Sequence, residues 1–488
     1  MLFNSWQFLI FLPIVLVLYF LLPKRIRHYE LLIASYFFYM FWNWKLVFLI
    51  LGTTIVSYLA GYFIPKVNKP GYKKLLLIVT LVVSLGILIF FKYFDFLAES
   101  VVGIINMFNG STKWDSLNLI LPIGISFYTF QTLSYVIDVY KGKIECEKDF
   151  FYYALYVSFF PQLVAGPIER PDNLLPQLKN QDGVNPDNLT EGLRLMLIGY
   201  VKKIVIADLI GVYVNNVFND IGSANGLVIL VATLLFSMQI LCDFAGYSDI
   251  AKGIAKCFNI DLMTNFNHPY RAESFKEFWG RWHISLSSWL RDYIYIPLGG
   301  SRVKIPCWIF NIFIVFLVSG LWHGASWTYV IWGMLHFLVR VIEHFLAIAK
   351  QKFCEKKGID YNRNLFKYIR IGRTFILVSL FWIFFRSNSI GDAFDAYRIL
   401  FTKWNFSSEY FDTFTHYIPM SAFTIITIIV AVILFNTIDY LPKLNFITGI
   451  KGLLIRKSSY VVLSLVVMAA FIYLQSINIE SSFIYFQF

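Results

Sequence analysis

The chain has 488 residues, of which 58% are hydrophobic and 15% charged, with a mean hydropathy of +0.62. Soluble domains carry closer to a quarter charged residues, so this composition excludes an ordinary soluble enzyme and points to a polytopic membrane protein. The formal net charge of +12 sits in short clusters between apolar runs, which is the mark of cytoplasmic loops and not of a nucleic-acid surface. Five scattered cysteines, with no CxxC pair, suggest neither a disulfide framework nor a zinc site.

The first apolar run is Phe8 to Leu22, followed by Lys24, Arg25 and Arg27. It lacks a basic leader and a small-residue cleavage site, so it reads as a retained first helix with the N-terminus outside. Further runs cover Leu31 to Trp44, Leu46 to Ile64 and Leu75 to Phe94, with a lysine-rich loop before the last. Residues 100–118 are polar. Leu119 to Tyr140 is apolar but carries Pro122, Gly124, Gln131 and Asp138. Phe151 to Val164 runs into PQLVAGPIERP, which cannot continue a helix. Such backbone at membrane depth has to be buried in protein or line a wet cavity, so a re-entrant or interfacial segment is expected there.

Leu193 to Val214 and Leu227 to Phe258 are the next helical stretches. Gln239, Asp243, Gly246 and Gly253 share one face of the second. That face reads equally as a polar seam between helices or as the lining of a substrate path. Residues 348–373 form a strongly basic loop. Phe375 to Phe385, Ala422 to Tyr440 and Tyr460 to Leu474 are further apolar segments. The tail SINIESSFIYFQF has no basic residue and is expected outside. Both termini outside implies an even number of crossings, roughly ten to twelve.

Two histidines stand out. The run Phe310 to Gly333, FNIFIVFLVSGLWHGASWTYVIWG, carries one ionisable group, His323. Its length suits a membrane span over about 308–335. An ionisable residue inside a span is costly and is a functional-site hypothesis by default. Gly320 and Gly324 would let another backbone approach, and Trp322 and Trp327 are candidate pocket walls. The residues alone also fit a histidine that only hydrogen-bonds a neighbouring helix. The second histidine lies in residues 264–302. There Ser274 and Glu277 form a capping box, and Trp279, Trp282, Leu286, Trp289 and Tyr293 make a stripe opposite Glu277, Arg281, Ser285, Ser288 and Asp292. This predicts one continuous amphipathic helix at the membrane boundary, ended by Pro297. His283 and Ser287, four apart, would share its border. His283 then either lines the mouth of a cavity floored by His323 or is incidental to a surface anchor.

Acyl transfer to a hydroxyl needs a base, and a neutral buried imidazole can serve. It also needs donors for the oxyanion, which Trp, Ser or a second His can supply. Neither a G-x-S-x-G elbow nor HExxH is present, so a serine nucleophile and a bound metal are not indicated. A polytopic transporter or flippase of a polysaccharide precursor, using Asp243, Asp249, Gln239 and the Pro-broken segments, is the alternative; the inverted internal repeats it predicts are not seen.

At these residues the sequence resembles the membrane-bound O-acyltransferase family, in its bacterial alginate O-acetyltransferase branch. The matching strings are FNSWQFLIFLPIVLVLYF, SFYTFQTLSYVIDVY, PQLVAGPI, DFAGYSDIAKG, FWGRWHISLSSWLRDYIYIPLGGSR, LVSGLWHGASWTYVIWG and FIYFQF. They span nearly the whole chain. The resemblance implies an all-α polytopic fold, a ring of helices around a membrane-embedded tunnel. It maps the family's buried catalytic histidine to His323 and its second histidine to His283. It implies acetyl-CoA as a cytoplasmic donor substrate with no bound cofactor. It further implies a polysaccharide acceptor and an extracytoplasmic partner of the SGNH-hydrolase type in a bacterial cytoplasmic membrane. Within residues 475–488, Tyr485 is a candidate acyl relay, since a phenol is a competent nucleophile, or else an aromatic belt residue. D-alanyl transfer proteins of teichoic acid synthesis and peptidoglycan O-acetyltransferases share the motifs closely enough that the polymer is left open.

Overall fold

A computed structural model describes residues 1–108, 110–180, 182–357, 364–405, 407–417, 422–438, 449–476 and 483–484. Its regular elements among these residues are helical. They fall into two compact units: residues 1–196 with 250–263, and residues 197–249 with 264–488.

The first unit contains α1 (Trp6–Leu21), α2 (Arg27–Met40), α3 (Val47–Phe63), α4 (Pro70–Met107), α5 (Ile125–Tyr140), α6 (Phe150–Ser158), α7 (Phe160–Leu163) and α8 (Pro171–Lys179). Here α1 packs on α2, α3 and α4 on α5, and α6 on α2 and α8. The proline-rich segment after α7 is irregular, and residues 158–169 are buried throughout. This is the solution expected for non-helical backbone at depth, because protein partners replace the missing water. Glu169, fully buried there, accepts the amide of Met263 and the side-chain amide of Asn173 at 2.7 Å.

Two helices run from one unit into the other: α9 (Pro186–Tyr200) and α11 (Gly226–Cys257). The second unit continues α9 as a π-helical stretch, Val201–Asp208, and then α10 (Leu209–Asn219). It also holds α12 (Phe275–Arg281), α13 (Ile284–Leu290), α14 (Ile305–His323), α15 (Trp327–Lys357), α16 (Asn364–Arg386), α17 (Ile390–Thr402), α18 (Ser408–Tyr417), α19 (Ala422–Thr437) and α20 (Gly449–Ser476). Among the described residues seven helices are long and apolar enough to cross a membrane, and Trp6–Leu21 and Ile426–Thr437 are shorter apolar helices. With its composition, this makes the chain a multi-pass membrane protein.

Two expectations are corrected. The run around His323 is not one span. Helix α14 ends on His323, Gly324 is extended, and α15 starts at Trp327 under a turn in which Ser326 Oγ accepts the Thr328 amide at 3.3 Å. The stretch from Ser274 is not one helix either, because it breaks at Trp282 and His283. Its supposed polar stripe is not a solvated face, since Ser285 is fully buried. The capping box also differs in detail. Ser274 Oγ accepts the Glu277 amide at 3.1 Å, but Glu277 reaches back to the amide of Glu273.

Candidate active site

Helices α14 and α15 bring His323 to its place by close packing. A Cβ on Gly320 would strike the carbonyl of Tyr329, and one on Gly333 would strike the carbonyl of Phe316. The two backbones therefore touch at Gly320 and Gly333, and no larger residue fits without moving a helix. The His323 side chain is 2% exposed. Its ring meets Trp322 and Trp332 edge-on at 5.0 Å, and Phe385 at 5.2 Å between centroids. Trp332 stacks on Trp382 at 5.6 Å, and Trp382 packs on Trp282 at 5.0 Å. Trp382 is itself fixed, because its Nε1–H donates to Tyr270 Oη at 3.1 Å and that hydroxyl donates to the Ser237 carbonyl at 2.6 Å.

His283 arrives by a different route. Its backbone is left-handed, with φ +44°. That region is uncommon for any residue but glycine and, at about 1–3 kcal/mol, persists only where the surroundings enforce it. Asn265 enforces it. Its carbonyl accepts the Ile284 amide at 2.9 Å, its Oδ1 accepts the Ser285 amide at 3.3 Å, and its Nδ2 donates to Ser248 Oγ at 3.2 Å. Asn265 thus satisfies two first-turn donors of α13 that a residue at the cap would normally satisfy. The Asn267 amide donates to the Arg281 carbonyl at 3.0 Å and closes the loop.

The break turns the His283 ring inward, where it has no exposed surface. It lies edge-on to Phe244 at 4.6 Å and to Trp322 at 5.3 Å. The two imidazole centroids are 6.5 Å apart. His283 is therefore beside His323 inside one aromatic chamber, not at a solvent-facing mouth above it. Burial pushes the His283 pKa down from 6.5 to about 3, so the ring is neutral across the physiological range.

The other expected site residues divide. Trp322 is buried between the two histidines. Trp327 is half exposed, at 50%. Ser287 Oγ donates to the Trp282 carbonyl at 3.1 Å, so it braces the break instead of pairing with the imidazole. Gln239 and Asp243 lie on a buried face of α11. A Cβ on Gly211 would meet Gln239, and a Cβ on Gly246 would meet the backbone of Gly199 and Lys203. Asp243 pairs with Lys203 at 2.6 Å, and Asp249 with Lys202 at 2.8 Å. Tyr485 lies outside the described residues. Among the described residues no group of His, Cys, Asp and Glu could hold a metal ion.

A third histidine escaped the sequence reading. His336 is fully buried on α15, accepts from Trp279 Nε1 at 3.3 Å through Nδ1, and meets Trp332 at 4.8 Å. The argument used for His323, an ionisable group in an apolar run, applies equally to WGMLHF. Trp282, Trp332, Trp382 and Phe385 were also missed as walls of the chamber.

Comparison with known proteins identifies the family. Residues 148–357, which carry His283 and His323, match the membrane-bound O-acyltransferase family. The chain is 38% identical over 413 residues to a probable alginate O-acetylase, AlgI, of Pseudomonas putida, covering 83% of this chain and 82% of the relative. The chain belongs to the membrane-bound O-acyltransferase family. A peptidoglycan O-acetyltransferase of Helicobacter pylori is 36% identical over 427 residues, covering 80% of this chain and 78% of the relative. A teichoic acid D-alanyltransferase of Bacillus subtilis is more distant, 29% identical over 259 residues, half of this chain and 64% of the relative. This membership supports an acyltransferase over the transporter alternative.

Proposed function

We propose that this acyltransferase passes acetyl groups from a cytoplasmic thioester donor, acetyl-CoA, to hydroxyls of a cell-surface or exported polysaccharide. The observation that carries the proposal is the pair of buried imidazoles, 6.5 Å apart between centroids, in a chamber of aromatic rings. The two relatives matched over most of the chain act, by name, on polysaccharides, as an alginate O-acetylase and a peptidoglycan O-acetyltransferase.

In the proposed reaction His323 takes the proton of the attacking hydroxyl. The hydroxyl oxygen bonds the thioester carbonyl carbon, the C–S bond breaks, and the imidazolium returns the proton to the departing thiolate. His283, neutral through burial, lies in the same cluster of aromatic rings and serves as a positioning and hydrogen-bonding partner. The aromatic walls keep water from competing for the acyl group. In this reading the donor enters from the cytoplasm and both termini face outward. Where an extracytoplasmic partner of the SGNH-hydrolase type completes the transfer, the first attacking hydroxyl belongs to a relay, Tyr485 or a group of the partner; a polymer hydroxyl then attacks the relay ester, takes the acetyl group and releases the relay hydroxyl.

The test is the O-acetyl content of surface polysaccharides in a strain lacking the chain, complemented with wild type or His323→Ala at equal membrane abundance. Restoration by wild type and not by the variant is expected. Full restoration by the variant, or no change in any polymer on deletion, would overturn the reading.

A further inference from the structure

Asp243 is nearly fully buried, and both its oxygens are engaged. Oδ1 accepts from Lys203 Nζ at 2.6 Å, and Lys203 is shared with Asp208 at 2.7 Å. Oδ2 accepts the backbone amide of Ile484 at 2.9 Å, from a residue 241 positions away in the tail. Phe483 is 2% exposed and lays its ring against Tyr247 at 4.8 Å and Phe244 at 5.7 Å. Phe244 follows Asp243 directly on α11, and its ring is the one that meets His283 at 4.6 Å. The carboxylate that grips the tail and the ring that walls the histidine are thus adjacent residues on one turn of helix. Lys203 lies in the π-helical stretch, where the extra residue per turn is often found at functional sites.

We infer that the Lys203–Asp243 pair is a latch that docks the C-terminal tail at Phe483–Ile484 and thereby sets the Phe244 wall of the histidine chamber. The latch makes Asp243 a positioning residue for acyl transfer, an inference that rests on the functional reading above. A buried ion pair is a poor general stabiliser, because desolvation offsets its attraction. It becomes useful where a charge-assisted hydrogen bond must fix a segment that comes from far along the chain.

Asp243→Asn tests the latch. An amide keeps one oxygen where the carboxylate has two; that oxygen stays on the charged Lys203, which leaves the NH2 group facing the Ile484 N–H, so the bond to Ile484 is lost. Asp208→Asn is the control, because it removes the other carboxylate on Lys203 and leaves the bond to Ile484. Hydrogen exchange is followed by mass spectrometry on the purified full chain, in the peptide containing Ile484. Asp243→Asn is expected to speed that exchange at least about tenfold, as loss of a hydrogen bond to a charged group implies, while Asp208→Asn leaves it near wild type. Transfer activity supplies a second readout. Ile484→Pro, which removes the N–H that Asp243 accepts and leaves Tyr485 in place, should lose the same fold of activity as Asp243→Asn, and adding Asp243→Asn to it should lower it no further. Unchanged exchange in Asp243→Asn, or equal acceleration in Asp208→Asn, would overturn the latch. A multiplicative loss in the combined variant would overturn its action through the tail. If the wild-type chain transfers no acyl group at all, the functional reading fails, and the exchange data still decide the latch.

Discussion

The two histidines reach one chamber by opposite routes. His323 is placed by packing, at the end of a helix whose glycines let a neighbouring backbone touch it. His283 is placed by a loop, in a left-handed backbone that Asn265 holds with hydrogen bonds. Packing gives a position that does not depend on any one polar bond. The loop gives a position that stands or falls with a few bonds and stores strain at the site. The more rigid element carries the proposed base, and the more conditional one carries its partner.

Substitutions can break each half separately. His323→Ala should have the largest effect, a loss of transfer of at least about a hundredfold with normal membrane insertion, since a general base contributes on the order of 10²–10⁴. Gly320→Val should come next. Its side chain meets the Tyr329 carbonyl, so α14 and α15 separate, and folded protein recovered from membranes should fall as well as activity. Asn265→Ala should act on the other histidine alone. It keeps the backbone acceptor for Ile284 but loses the bonds to Ser285 and Ser248, costing about 1–3 kcal/mol, with transfer reduced and His323 still in place. Recovery of folded protein together with turnover separates these two cases, because Gly320→Val should lose both in parallel and Asn265→Ala should lose turnover from protein that still folds.

Acid stability sharpens the same contrast. The folded-state pKa of His283 lies at about 3, below the ordinary 6.5, so between those values the unfolded chain binds a proton that the folded chain does not. The stability due to a neutral His283 is therefore intact above about pH 6.5 and is lost as pH falls through that window. His283→Gln should show a shallower fall in melting temperature between pH 7.5 and pH 5 than wild type. The smallest effect is expected of Ser287→Ala, which loses one bond to the Trp282 carbonyl and should stay within a few-fold of wild-type transfer.

Much of this was legible in the sequence. Composition gave the membrane class, and an ionisable residue in an apolar run singled out His323. The proline-broken segment before Glu169 is buried irregular backbone, as its residues imply. The failures have a physical pattern. The amphipathic stripe from Trp279 to Tyr293 is real as a spacing, yet the helix breaks within it, because the bonds that break it come from Asn265, which helical periodicity does not register. His323 ends a helix and does not sit within one, a consequence of Gly324 and the Ser326 turn that an apolar run conceals. The Asp243 face left two readings open, and its partners Lys203 and Ile484 lie too far along the chain for any spacing rule to pair them.

The most direct measurement is acyl turnover in membrane vesicles given radiolabelled acetyl-CoA on the cytoplasmic side, for wild type, His323→Ala and Asn265→Ala at matched protein. The account predicts labelled polysaccharide and released CoA with wild type, neither above background with His323→Ala, and an intermediate rate with Asn265→Ala. Wild-type rates from His323→Ala would contradict it, and would leave the aromatic chamber as packing alone.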